Sequence, residues 1–174
     1  MLFRSPFDNR HIPFWIGANA PETITRAARI GDAWIASPNV KERWAIGNLE
    51  AFLAERERVS PGSADETRRP ICRELLIADS DEDASCLAHR FLREEYISYS
   101  KYELEHFVEM FDDLMTKSFL IGSPTTVAAK LRPLVAGGFD YFIFRFFWSG
   151  MPYSIAKDSL RRFSSEVFPV LDKG

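Results

Sequence analysis

The residues with the most chemical promise are Gly17, Ala18, Asn19 and Ala20, followed one helical turn later by Thr23. Small residues in a turn that opens a helix leave backbone amides exposed, and the positive end of the helix dipole points outward from them. Such a turn suits a phosphate, with the Thr23 hydroxyl as an added donor. No lysine or arginine lies within it, so the backbone would carry most of the binding. The same residues equally suit an ordinary strand-to-helix connection, since capped helices are common without a ligand. Other chemistries fare worse. His106 stands among Glu103, Glu105, Glu109 and Asp113, neighbours that a dense polar helical face produces unaided, so no metal site is expected. His11 and His89 are isolated, and no hydrolase triad order, HExxH or Walker-type Gly-Lys-Ser occurs. Cys72 and Cys86 have neither metal spacing nor a disulfide framework, and both are expected as buried thiols.

The elements that hold the turn are well punctuated. Phe14, Trp15 and Ile16 form an apolar run suited to a strand buried on both faces. Asn19 is placed to cap the following helix, Pro21 suits its first turn, Glu22 adds early negative charge, and Gly31 is expected to end it in the left-handed conformation. Between them Ile24, Ala27, Ala28 and Ile30 fall on helical spacing, and Ala33, Trp34 and Ile35 begin a second strand. Residues 39–59 predict an amphipathic helix with Trp44, Ile46, Leu49, Phe52 and Leu53 on its apolar face. After a loop at 60–70, residues 71–78 form a third strand, and 79–118 read as a helical excursion. Its aromatic series Tyr96, Tyr99, Tyr102 and Phe107 is explained more simply by helix packing than by a substrate channel. Ser123 and Pro124 open another helix that Gly137 and Gly138 close, with Pro133 predicting a kink or an early end. Residues 140–146 form a fourth strand, and a last helix over 152–171 turns Ile155, Leu160, Phe163, Val167 and Phe168 inward.

Four apolar strands separated by helical sequence predict an α/β fold with a parallel sheet. At 174 residues and 46% hydrophobic content the chain can bury one real core. Its 22 basic and 25 acidic residues give a net charge of −3, which offers nucleic acid no electrostatic footprint. With no apolar run of about 18 residues and no signal-like amino terminus, a cytoplasmic protein is expected. Residues 1–12 are irregular, and Met1-Leu-Phe-Arg-Ser5 matches one frame of a common sequencing adapter, which predicts a coding sequence broken at that end; the domain proper is 13–174. A closed eight-stranded barrel takes about 250 residues, so four units make half a barrel with two open edges that something must cover.

Four blocks taken together, Pro13-Phe-Trp-Ile-Gly-Ala-Asn-Ala20, Ala27-Ala-Arg-Ile-Gly-Asp-Ala-Trp34, Phe119-Leu-Ile-Gly-Ser-Pro124 and Phe142-Ile-Phe-Arg145 with Trp148-Ser-Gly-Met-Pro152, resemble the carboxy-terminal half of the luciferase-like flavin-dependent monooxygenases. The resemblance implies a partial (βα)8 TIM barrel, strands five to eight, with a helical insertion. It implies FMN, or in one branch the deazaflavin F420, at the carboxy-terminal mouth of the barrel, with reduced flavin and O2 oxidising a small organic substrate. By the same resemblance, Gly17, Ala18, Asn19, Ala20 and Thr23 hold the flavin phosphate. Arg145, at the rim, meets a phosphate, a carboxylate or a flavin carbonyl, or else pairs with a nearby acid; Trp148 walls the flavin or roofs the core. A catalytically silent oligomerisation or anion-binding module is the rival expectation. In either case the absent strands imply self-association or a complementary amino-terminal half barrel.

Overall fold

The computed structural model describes residues 12–100 and 110–171. Residues 1–11, His106 and its acidic neighbours at 103, 105 and 109, Tyr102 and Phe107 lie outside that set, as does the side chain of Tyr99. Five strands occur among the described residues: β1 (Trp15–Gly17), β2 (Ala33–Ile35), β3 (Pro70–Ile77), β4 (Leu120–Gly122) and β5 (Tyr141–Arg145). Between and after them run α1 (Pro21–Ile30), α2 (Glu42–Val59), α3 (Ser63–Glu66), α4 (Asp81–Ser100), α5 (Phe111–Lys117), α6 (Pro124–Ala136) and α7 (Tyr153–Arg162). A π-helical turn, Phe163–Val167, leads from α7 into α8 (Phe168–Leu171).

Every strand pairing is parallel, as helical crossovers require. β1 pairs with β2, and β3 lies between β4 and β5. A bridge from Ala36 to Ile71 joins the two sheets, with Cys72 N–H donating to Ala36 O at 2.8 Å. Farther along, Ala78 N–H donates to Gly122 O at 3.2 Å. Cys72 and Ala78 have the same parity, so β2 and β4 share one edge of β3 in succession, and β5 takes the other. The four expected strands are therefore present, and β4 is an addition that extends the edge β2 abandons.

The sheet is curved. β1 and β5 are three strand spacings apart, about 14 Å in a flat sheet, yet the rings of Trp15 and Tyr141 meet edge-on with centroids 5.1 Å apart. On the convex side, Ile24, Ala27 and Ala28 of α1 and Ala45, Leu49 and Phe52 of α2 pack over Trp34, Ala36 and Ile71, while Val127, Ala128 and Leu131 of α6 pack over Leu75 and Ile77. On the concave side, α4 and α5 cap the carboxy-terminal half of the sheet, with Ala84, Leu92, Phe111 and Leu114 around Leu76, Ile121 and Trp148. The helical excursion thus roofs the concavity.

Several local expectations change. Ala20, not Asn19, occupies the cap position of α1, and no side chain caps it. Gly31 ends α1 in extended backbone, φ −103°, not in the left-handed region. What requires glycine there is closeness: a Cβ would lie 2.8 Å from Ile16 Cδ1 and 3.0 Å from Ala27 O. In α2 the buried positions are Ala45, Leu49 and Phe52, so Trp44 turns outward, 57% exposed, with the Arg43 guanidinium 5.0 Å over its ring. Ser123 does cap α6, its hydroxyl accepting from Thr126 N–H, and the helix continues one turn past Pro133 to Ala136. Cys72 is half-buried and Cys86 is exposed, so neither is the buried thiol expected: Cys72 is only partly covered in β3, and Cys86 falls on the solvent face of α4.

Candidate functional site

The turn from β1 into α1 lies at the carboxy end of a parallel strand, where open α/β sheets place their ligands. Ala20 O begins the helix, accepting from Thr23 N–H and Ile24 N–H, both at 3.0 Å. The Thr23 hydroxyl turns back onto the same carbonyl at 2.7 Å. Pro21 has no amide hydrogen to lose at this position. Ala18 O accepts from the indole N–H of Trp34 at 2.8 Å, which ties the turn to β2, while Asn19 and Ala20 are exposed. The turn is small and anchored, and it leads into the positive end of a ten-residue helix. Glu22 in the first turn opposes an incoming anion, so binding would rest on backbone donors and a hydroxyl that must exchange its present acceptor.

Arg145 and Trp148 come together elsewhere, on a residue the sequence did not single out. Glu74 is fully buried in β3, directly opposite Arg145 of β5 in register. Its Oε2 accepts from Trp148 Nε1 at 3.0 Å and its Oε1 from Tyr96 OH at 3.2 Å; Arg145 Nη1 lies 3.3 Å from Oε1. Burial pushes the Glu74 carboxyl up from its ordinary value, and the Arg145 charge with the two hydrogen bonds offsets this only in part. Glu95 of α4 accepts from Ser149 N–H at 3.0 Å and so pins the segment that carries Trp148. Trp148 itself is 3% exposed, whereas the Arg145 side chain keeps 36% of its surface open. The cluster therefore sets a partly exposed guanidinium at the end of β5, paired with a carboxylate that a phenol and an indole also hold. Tyr96, read from the sequence as packing, both packs on Phe111 and Phe119 and serves this network. A signal for Glu74 was present: Arg73 and Glu74 are adjacent charges inside an otherwise apolar strand, and buried charges demand partners.

The described residues contain no cluster of three or more metal-ligating side chains and no helix long and apolar enough to cross a membrane. The luciferase-like monooxygenase profile matches residues 2–141. No curated protein matches the chain. Among solved structures, the monooxygenase RslO1 from Streptomyces bottropensis superposes with a TM-score of 0.66 at 16% identity, over 92% of this chain and 49% of that one. The oxygenating constituent of 3,6-diketocamphane monooxygenase from Pseudomonas putida, solved with FMN, gives 0.67 at 17% identity, over 94% and 50%. The coenzyme F420 dependent tetrahydromethanopterin reductase from Methanopyrus kandleri gives 0.61 at 18%, over 91% and 50%. The chain thus spans about half the length of these structures and is a partial form of their fold. With four fifths of its length inside the family profile and a parallel, curved sheet to match, the chain belongs to the luciferase-like monooxygenase family.

Proposed function

We propose that the chain supplies the carboxy-terminal half of a flavin-dependent, luciferase-like oxidoreductase, and that catalysis needs a second half barrel. The observation that carries this is the pairing of an exposed β1–α1 turn, at the carboxy end of a parallel strand, with family membership over most of the chain. Gly17, Ala18, Asn19, Ala20 and Thr23 would hold the phosphate of FMN, or of F420 in the alternative. The residues fit that tail: the turn is built of small residues, it precedes a helix amino terminus, and Thr23 adds a hydroxyl. When bound, the flavin would accept and deliver electrons between a reductant, O2 and a small organic substrate.

This chain's own part is to bind and to exclude water. Arg145 would present its guanidinium to a carbonyl or an anionic group at the mouth, and Glu74 would hold that guanidinium in place. Trp148 would form the rear wall, its indole spent on Glu74. Open edges at β1 and β5 would be covered by a complementary half barrel or by a second copy of the chain, which together would complete eight strands. Fluorescence titration of FMN and of F420 with the folded chain tests this reading. Quenching or a spectral shift that weakens in Thr23→Ala is expected with one of the two, and no change with either would overturn it. A silent module would bind inorganic phosphate yet leave flavin fluorescence untouched, and oxygen consumption with reduced flavin would be absent even after an amino-terminal half barrel is supplied.

A further inference from the structure

Arg73 and Glu74 are consecutive in β3 and point to opposite faces. Glu74 is met by three partners; Arg73 is not. Its guanidinium lies on the convex side where β2 leaves the edge of β3 and β4 has yet to join it, and the residue is 1% exposed. Nη1 donates to Ser37 O at 3.0 Å and Cys72 O at 3.1 Å. Nη2 is buried and has no partner among the described residues. Ser118, 5% exposed, lines the same crevice, and its Oγ is likewise buried without a partner.

The crevice encloses about 20 Å³, more than the roughly 10–15 Å³ that one water-sized occupant needs. Lys130 forms another wall, its ammonium donating to the carbonyls of Met115, Phe119 and Ile121 at 2.9–3.1 Å. A broader basin of about 480 Å³ adjoins it through shared Glu42, Thr116 and Lys117, and Lys41 and Arg43 complete that basin. Glu42 is the one carboxylate lining either space, and it makes no ion pair with Arg73 among the described residues. One buried guanidinium and one half-buried ammonium therefore face a polar void, and Asp113, paired with both Lys41 and Lys117, leaves Arg43 and Glu42 as the other charges of its approach.

We propose that this crevice binds a small inorganic anion of halide size, held between Arg73 Nη2 and the Ser118 hydroxyl. A water molecule would satisfy the two donors but leave the guanidinium charge uncompensated, and an unpaired buried charge is the more costly defect. Desolvation already depresses the Arg73 pKa to about 10, with Glu42 acting only from a distance. The site is on the opposite face from Glu74 and Arg145, so it stands whether or not the flavin reading does.

Thermal unfolding of the full chain in sodium chloride and sodium bromide, against sodium gluconate at the same ionic strength, tests the proposal. Chloride and bromide should raise the Tm saturably, as a ligand of the native state does. The half-saturating concentration should rise about tenfold in Ser118→Ala, which removes a hydrogen bond to a charged group, and fall in Glu42→Gln. In wild-type crystals soaked in bromide, an anomalous peak should lie between Arg73 and Ser118, which decides the matter even if a variant fails to fold. An equal Tm in all three salts, a response that never saturates and is unchanged in Ser118→Ala, or a water in place of the bromide peak would overturn it.

Discussion

Glu74 concentrates the energetics of the concave face in one side chain. Removing a donor from a buried carboxylate leaves an unsatisfied charge, which costs about 1–3 kcal/mol. Trp148→Phe deletes the Nε1 donor and shrinks a buried ring, so urea denaturation should show a loss of at least that size, while Tyr153→Phe on the exposed face of α7 should show almost none. The pH dependence has a definite sign. The native carboxyl titrates above its unfolded value of about 4.5, so its contribution is fully present below that pH and fades as pH rises through the higher native value. Going from pH 7 toward pH 5, wild-type stability should therefore improve relative to Glu74→Gln; a parallel pair of pH profiles would contradict the burial argument. At this scale the sequence revealed Arg145 and Trp148 as a pair of interest but not their common partner. Which acid an arginine meets depends on strand register, and the register that sets Glu74 opposite Arg145 is fixed by packing between distant parts of the chain.

At the scale of elements, helix starts and apolar runs were legible because they depend on neighbours a few residues apart. β1, β2, β3 and β5, Pro21 at the head of α1 and the Ser123 cap of α6 all lie where local signals put them. β4 was missed because Leu120, Ile121 and Gly122 are three residues squeezed between α5 and a helix cap, and it becomes a strand only by completing the edge of β3. Trp44 was assigned inward on hydrophobicity alone, but alanine at position 45 lets α2 approach the sheet closely and rotates the tryptophan out. Gly31 shows a residue chosen for a tertiary reason that a local rule misassigned. Gly31→Ala should destabilise by about 1–3 kcal/mol through overpacking on Ile16, measured by chemical denaturation, and Ile16→Val should recover part of the loss. Ser159 is fully buried and accepts from Ile77 N–H at 2.9 Å, just beyond the last residue that β5 pairs with. Ser159→Ala strands that amide, so a further loss of about 1–3 kcal/mol is expected, and a neutral result would mean that water replaces the hydroxyl.

At the scale of the whole molecule, the described residues form a curved parallel sheet with a helical layer outside and a helical roof inside, and among them the outer edges of β1 and β5 have no strand partner. Phe14 beside β1 and Tyr141 in β5 are 64% and 43% exposed, which suits edges meant to be covered. Sedimentation of the full chain should accordingly show a mass above one chain, or heterodimer formation once an amino-terminal half barrel is added; a lone monomer under both conditions would argue against a completed barrel. That the chain carries about half the length of such a barrel was legible from strand count and length. The curvature that brings Trp15 to Tyr141 was not, because closure belongs to the sheet as a whole. The proposal that the β1–α1 turn receives the phosphate end of a flavin is tested by titrating FMN into the isotopically labelled full chain and following its backbone amides by NMR. Shifts centred on Ala18, Asn19, Ala20 and Thr23, with the Trp148 indole responding, are predicted; a perturbation that bypasses this turn, or none at all in a folded sample, would contradict it.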